Sequence, residues 1–126
     1  MRKFKIALVA AAALVCGAAP GPAWSQTMAD LLGTYTRPNG DALEVNDCGG
    51  LLCAQMTGGA KVGLEMLHGM EGTGPNEWRG SQMKHPDMPG FMTFSGTVTA
   101  SGDTLNVRGC MLGGAFCDAE VWTRQR

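Results

Sequence analysis

Two stretches of this chain carry side chains that could hold a soft metal. One reads EMLHGMEGTG and the other QMKHPDMPG, and together they contain both histidines of the 126 residues. Met66 and Met70 flank His68, while Met83 and Met88 flank His85. Thioether sulfur and imidazole together suit Cu(I), which prefers soft ligands. On a strand, Met66, His68 and Met70 would share one face because successive side chains alternate. Pro86 would end any strand carrying Met83 and His85. The competing explanation is packing. The chain holds nine methionines, and Met28, Met56, Met92 and Met111 have no histidine beside them. Methionine fills irregular gaps in small cores. The expectation is therefore no bound cofactor, with Met66 or Met70 turned inward and His85 solvated beside Pro86. A Met/His copper site is the alternative.

Motifs for catalysis are absent. There is no Gly-x-Ser-x-Gly elbow, no His-Glu-x-x-His and no phosphate-cradling glycine loop. The expected role is non-enzymatic.

The chain opens MRKFKIALVAAAALVCGAAPGPAWSQ. A basic head, an uncharged apolar run and small residues at Ala23 and Ser25 are the layout of a secretory signal peptide, residues 1–25, cut before Gln26. The apolar run is shorter than the roughly 20 residues a membrane helix needs, so stable membrane insertion is not expected. Val15 precedes Cys16 where a lipoprotein signal wants a small residue, which argues against a lipid anchor. The remaining residues, 26–126, make one small domain.

Loss of Arg2, Lys3 and Lys5 leaves seven basic against eleven acidic residues. No basic stripe is present for displacing counterions from nucleic-acid phosphates, so nucleic acid is excluded as a partner. Cys48, Cys53, Cys110 and Cys117 remain, an even number in a small exported domain, which predicts two disulfides and a periplasmic or secreted location. Their spacings, Cys-x4-Cys and Cys-x6-Cys, fit zinc ribbons poorly. Chain entropy favours crossed pairs, which close longer loops. Local pairs, Cys48–Cys53 and Cys110–Cys117, are nevertheless expected, because each couplet flanks a turn between predicted strands. Strict alternation puts Cys110 and Cys117 on opposite faces unless Gly113 and Gly114 reset the phase.

Glycine punctuates short runs of period-2 alternation. Met92, Phe94, Gly96, Val98 and Ala100 line one face of a strand whose other face is mostly Thr and Ser, and a turn at 101–103 leads into Leu105 and Val107. The same pattern predicts strands near 33–37, 41–47, 51–57, 76–84, 90–100, 103–110 and 116–125, with a weaker one near 61–68. The fold class expected is all-β, a small antiparallel meander barrel of about eight strands, since closure removes exposed edges. Only residues 28–32 look helical, and the glycine-rich 69–76 segment reads as a loop.

These landmarks resemble a bacterial family, domain of unknown function 2147. They are Gly33-x-Tyr35, Cys48-Gly49, Leu52-Cys53, Trp78-x-Gly80, Pro86, Gly90, the run LNVRGC ending at Cys110, and Val121-Trp122-Thr123-Arg124. The resemblance covers essentially the whole exported chain and implies export and a compact β domain. It supplies no catalytic residues, because the family has no defined activity. The sequence departs from the pattern at Tyr35, where tryptophan is usual, and after Trp78, where Lys84-His85-Pro86-Asp87 replaces a simple Asp-Pro turn. A looser similarity is to lipocalin-like barrels, lipocalin-like in outline, in which a terminal Arg lies over the first-strand aromatic. Tyr35 and Arg124 would fill those places as a cation–π pair, and Trp78 and Trp122 would be structural.

The expected function is a non-enzymatic cell-envelope binding protein whose partner is an apolar or amphipathic small molecule. Two alternatives stand beside it. One is the periplasmic copper binder. The other is a protein-binding inhibitor that presents the 69–76 loop or the turn from His85 to Pro89, since function concentrates on loops held by a rigid scaffold.

Overall fold

The computed structural model describes residues 26–125. The expected signal peptide, with Cys16, lies outside the described residues. A single-turn helix, α1 (Met28–Leu31), leads into eight strands: β1 (Gly33–Thr36), β2 (Ala42–Asp47), β3 (Leu52–Met56), β4 (Glu65–Gly74), β5 (Glu77–Met83), β6 (Phe94–Ser101), β7 (Thr104–Met111) and β8 (Phe116–Arg124). Each strand pairs antiparallel with the next, and β8 returns to β1 through Tyr35↔Arg124 and Thr36↔Thr123, closing the barrel. Among the described residues no helix is long and apolar enough to cross a membrane.

Up-and-down order sends alternate connections to opposite ends. The β2–β3, β4–β5 and β6–β7 turns share one end with α1, where Gln26 bonds to Asn76 and to the Gly102 carbonyl. This end is plugged. Leu31, Tyr35, Leu105 and Trp122 are all at most 1 % exposed. The Tyr35 hydroxyl donates to the Leu31 carbonyl at 2.9 Å. The Arg124 guanidinium lies 5.0 Å from the Tyr35 ring centroid and also donates to the Leu32 and Asp30 carbonyls. Gly33 is required here. Its φ is +141°, and a Cβ on it would lie 2.9 Å from Arg124 Nη1.

Differences from the sequence-based expectation concentrate in β4. The weak strand expected near 61–68 is the ten-residue β4, and most of the supposed 69–76 loop belongs to it. Alternation also fails there. Leu52 opposes Met70 and Ala54 opposes Leu67, so β4 holds one residue more than β3 between those pairs. Gly69, at φ +73°, absorbs the bulge. Met66, Leu67 and Met70 are buried while His68 swings outward, so Met66, His68 and Met70 do not share a face. The strand expected from residue 90 begins at Phe94.

Both disulfides are local, Cys48–Cys53 and Cys110–Cys117. Cys110 and Cys117 are direct cross-strand partners in the β7–β8 hairpin, and partners in a ladder face the same side whatever the loop length. Counting alternation through the loop is what put them on opposite faces. A short 3-10 turn at Leu112–Gly114, with Leu112, Gly113 and Gly114 all at positive φ, makes the connection.

Candidate functional site

The other end of the barrel, bounded by the 37–41, 57–64, 84–93 and 112–115 connections, opens on a cavity of about 360 Å³. Its apolar wall comes from Met66, Met83, Met88, Phe94, Val107, Met111 and Phe116. Lys84, His85, Asp87, Asp118 and Glu120 supply the polar part. Room for the cavity follows from the small inward residues. Gly109 lines it, and the space beside its Cα is bounded only by Met83 and Phe94 at ordinary contact distance.

Arg37 and Glu120 hold the wall together. Both lie on inward faces, two positions from Tyr35 and Trp122 respectively, and inward charges at such positions need partners. Arg37 Nε donates to Glu120 Oε1 at 3.0 Å and Nη2 donates to Oε2 at 3.1 Å, a bidentate pair. Trp122 Nε1 donates to Glu120 Oε1 at 3.1 Å. Arg37 Nη2 also lies 3.1 Å from His85 Nε2, so one guanidinium ties β1, β8 and the 84–93 loop. The side chains of Arg37 and Glu120 are 6 % and 17 % exposed. Burial pushes the Glu120 carboxyl up, but hydrogen bonds from Arg37 and Trp122, with the charges of Arg37 and His85, outweigh it and hold the pKa below the ordinary value.

The sign of the linkage follows. A depressed folded pKa means that Glu120 contributes stability above its unfolded value, near 4.5, and loses it as pH falls through the lower folded value. Chemical denaturation at a series of pH values should show stability falling below about pH 4.5. Glu120→Gln should flatten that fall, and an unchanged slope would contradict the assignment.

His85 is thus not simply solvated beside Pro86, as expected. It is a cavity-wall residue, 33 % exposed. The Asp87 backbone N–H approaches its Nδ1 at 3.1 Å and Arg37 approaches Nε2. A neutral imidazole has one acceptor nitrogen, so only one of these can be a full hydrogen bond. Of the candidate metal ligands, Met66, Met83, His85 and Met88 surround one cavity. Met70 is buried with its sulfur against Gly80. His68 sits on the outer face with Nδ1 2.8 Å from Glu65 Oε1. Cys53, Glu65 and His68 bring potential ligand atoms within 4.8 Å of one another, but the Cys53 sulfur is in a disulfide.

Neither Arg37 nor Glu120 stands in a motif that the sequence singles out. The available signal was phase: Tyr35-x-Arg37 and Glu120-x-Trp122 place charges on faces that strand alternation turns inward.

A closed eight-stranded antiparallel barrel, plugged at one end and open on an apolar cavity at the other, is lipocalin-like. The chain belongs to the family described as an uncharacterised protein conserved in bacteria (DUF2147), whose model matches residues 54–124. A solved structure of a protein from the human pathogen Helicobacter pylori, described as belonging to the lipocalin family, is similar with a TM-score of 0.60 at 13 % identity. The match covers 76 % of this chain and 83 % of that one. No curated protein matches the chain.

Proposed function

We propose that this is a non-enzymatic binding protein of the cell envelope, periplasmic or secreted, which takes an apolar or amphipathic small molecule into the open half of the barrel. The observation that carries this reading is the cavity of about 360 Å³ with an apolar wall and a few polar groups, the usual make-up of a small-molecule site. Disulfides fit the oxidising compartment. The lipocalin-like barrel supports a small-molecule partner by analogy of fold. The copper reading draws support from the sulfur of Met66, Met83 and Met88 around the same cavity, yet His85 Nε2 is turned to Arg37, so a metal would have to displace that contact. This favours the small molecule.

Gly109→Leu tests the reading. A Cβ at Gly109 would meet Met83 Cε and Phe94 Cβ at 3.7 Å, ordinary contact, so the added side chain can fill the cavity without disturbing backbone. An apolar fluorescent probe should bind the native protein and bind the variant at least about tenfold more weakly, with the far-ultraviolet spectrum unchanged. Equal binding to both would place the ligand elsewhere.

A further inference from the structure

We propose that the cavity selects amphiphiles whose head is a cation or hydrogen-bond donor, an alkylammonium above all, over those headed by a carboxylate. The inference rests on the small-molecule reading of this cavity and concerns what its polar side accepts.

Acceptor capacity at that side is unspent. A carboxylate has about four lone-pair sites. Glu120 Oε1 receives Arg37 Nε and Trp122 Nε1, whereas Oε2 receives only Arg37 Nη2. His85 Nε2 is 4.0 Å from Oε2, beyond hydrogen-bond length. Glu120 lines the cavity, and Oε2 is its less occupied oxygen.

Cationic capacity is smaller. Arg37 is not part of the cavity wall; its Nε and Nη2 are committed to Glu120 and His85, and Nη1 lies 3.8 Å from Asp41. Lys84 is at the wall and donates to the Gly90 carbonyl at 2.8 Å, a neutral partner that leaves its charge in place as the one ammonium facing the acidic groups. A carboxylate head would therefore lie beside the Glu120 carboxylate with Lys84 as its one cationic partner at the wall, a less favourable arrangement than an ammonium head finds.

The field of the wall has the same sign. With Glu120 paired to Arg37, Asp87 and Asp118 stand against the ammonium of Lys84. The apolar wall adds the aromatic rings of Phe94 and Phe116.

The test uses three decyl compounds with one tail and three heads, decylammonium, decanol and decanoate, titrated by calorimetry into the exported protein at neutral pH below their micelle concentrations. The expected order is ammonium, then alcohol, then carboxylate, with ammonium at least about tenfold tighter than carboxylate. The ratio of the two should fall below about threefold in the triple variant Asp87→Asn, Asp118→Asn, Glu120→Gln. Because Glu120→Gln also weakens an internal pair, the double variant Asp87→Asn, Asp118→Asn is measured alongside, and its ratio should be intermediate. Decanoate binding as tightly as decylammonium, or a ratio indifferent to these substitutions, would overturn the head-group assignment while leaving the cavity reading standing. Failure of all three compounds, decanol included, would overturn both.

Discussion

Arg37→Leu should destabilise the protein by about 3 kcal/mol, at the low end of what removing one partner of a buried ion pair costs. The variant leaves Glu120 with the Trp122 indole as its only close hydrogen-bond donor, and Glu120 is 17 % exposed. Partial access to the cavity is why the low end applies. The same change frees His85 and with it the 84–93 loop, since the Arg37–His85 contact spans the cavity wall. For a domain of about a hundred residues the loss corresponds to a melting temperature lower by roughly 15 °C. The double variant Arg37→Leu, Glu120→Leu should recover most of it, because replacing a whole buried pair by apolar groups is often close to neutral. Calorimetry and urea denaturation of the single and double variants decide the matter. A cost below about 1 kcal/mol for the single variant would show that the pair is a solvated surface contact.

Gly96→Ala should cost roughly 3 kcal/mol or more, above the usual range for overpacking. Gly80, Gly96 and Gly109 stand side by side across β5, β6 and β7. A Cβ at Gly96 would lie 2.1 Å from the Arg108 carbonyl oxygen and 2.4 Å from Met83 Sδ. Moving a methionine sulfur is cheap, but moving the β7 backbone is not. At Gly80 the close neighbour is Met70 Sδ at 2.5 Å, on a side chain with no exposure to retreat into, and a smaller loss is expected. Gly109→Ala should be neutral or slightly stabilising, because its nearest neighbours would be at 3.7 Å and alanine loses less backbone freedom than glycine on folding. Urea midpoints for the three variants should therefore rank Gly96→Ala lowest and Gly109→Ala highest. Equal effects at the three positions would mean that strand propensity, not close approach, governs this row.

What the sequence by itself determined is the set of features written in local pattern. Period-2 alternation and turn glycines specify the meander, because each strand need only satisfy its own two faces and its neighbour. The Gly33-x-Tyr35 and Trp122-x-Arg124 segments specify the plugged end. The two cysteine couplets suggest local bridging, because each straddles a single turn, and the Cys110↔Cys117 register of β7 and β8 realises it. Tertiary structure decided what depends on phase and on partners far away in the chain. Two register shifts against β3, one at Gly69 between Leu67 and Met70 and one at Met66 between Glu65 and Leu67, turn His68 out between the inward methionines, and no composition rule anticipates them. Arg37 and Glu120 are 83 residues apart. Each alone looks like a surface charge. Only closure of β8 onto β1 brings them face to face, where burial makes the pairing obligatory and leaves one carboxylate oxygen less occupied than the other.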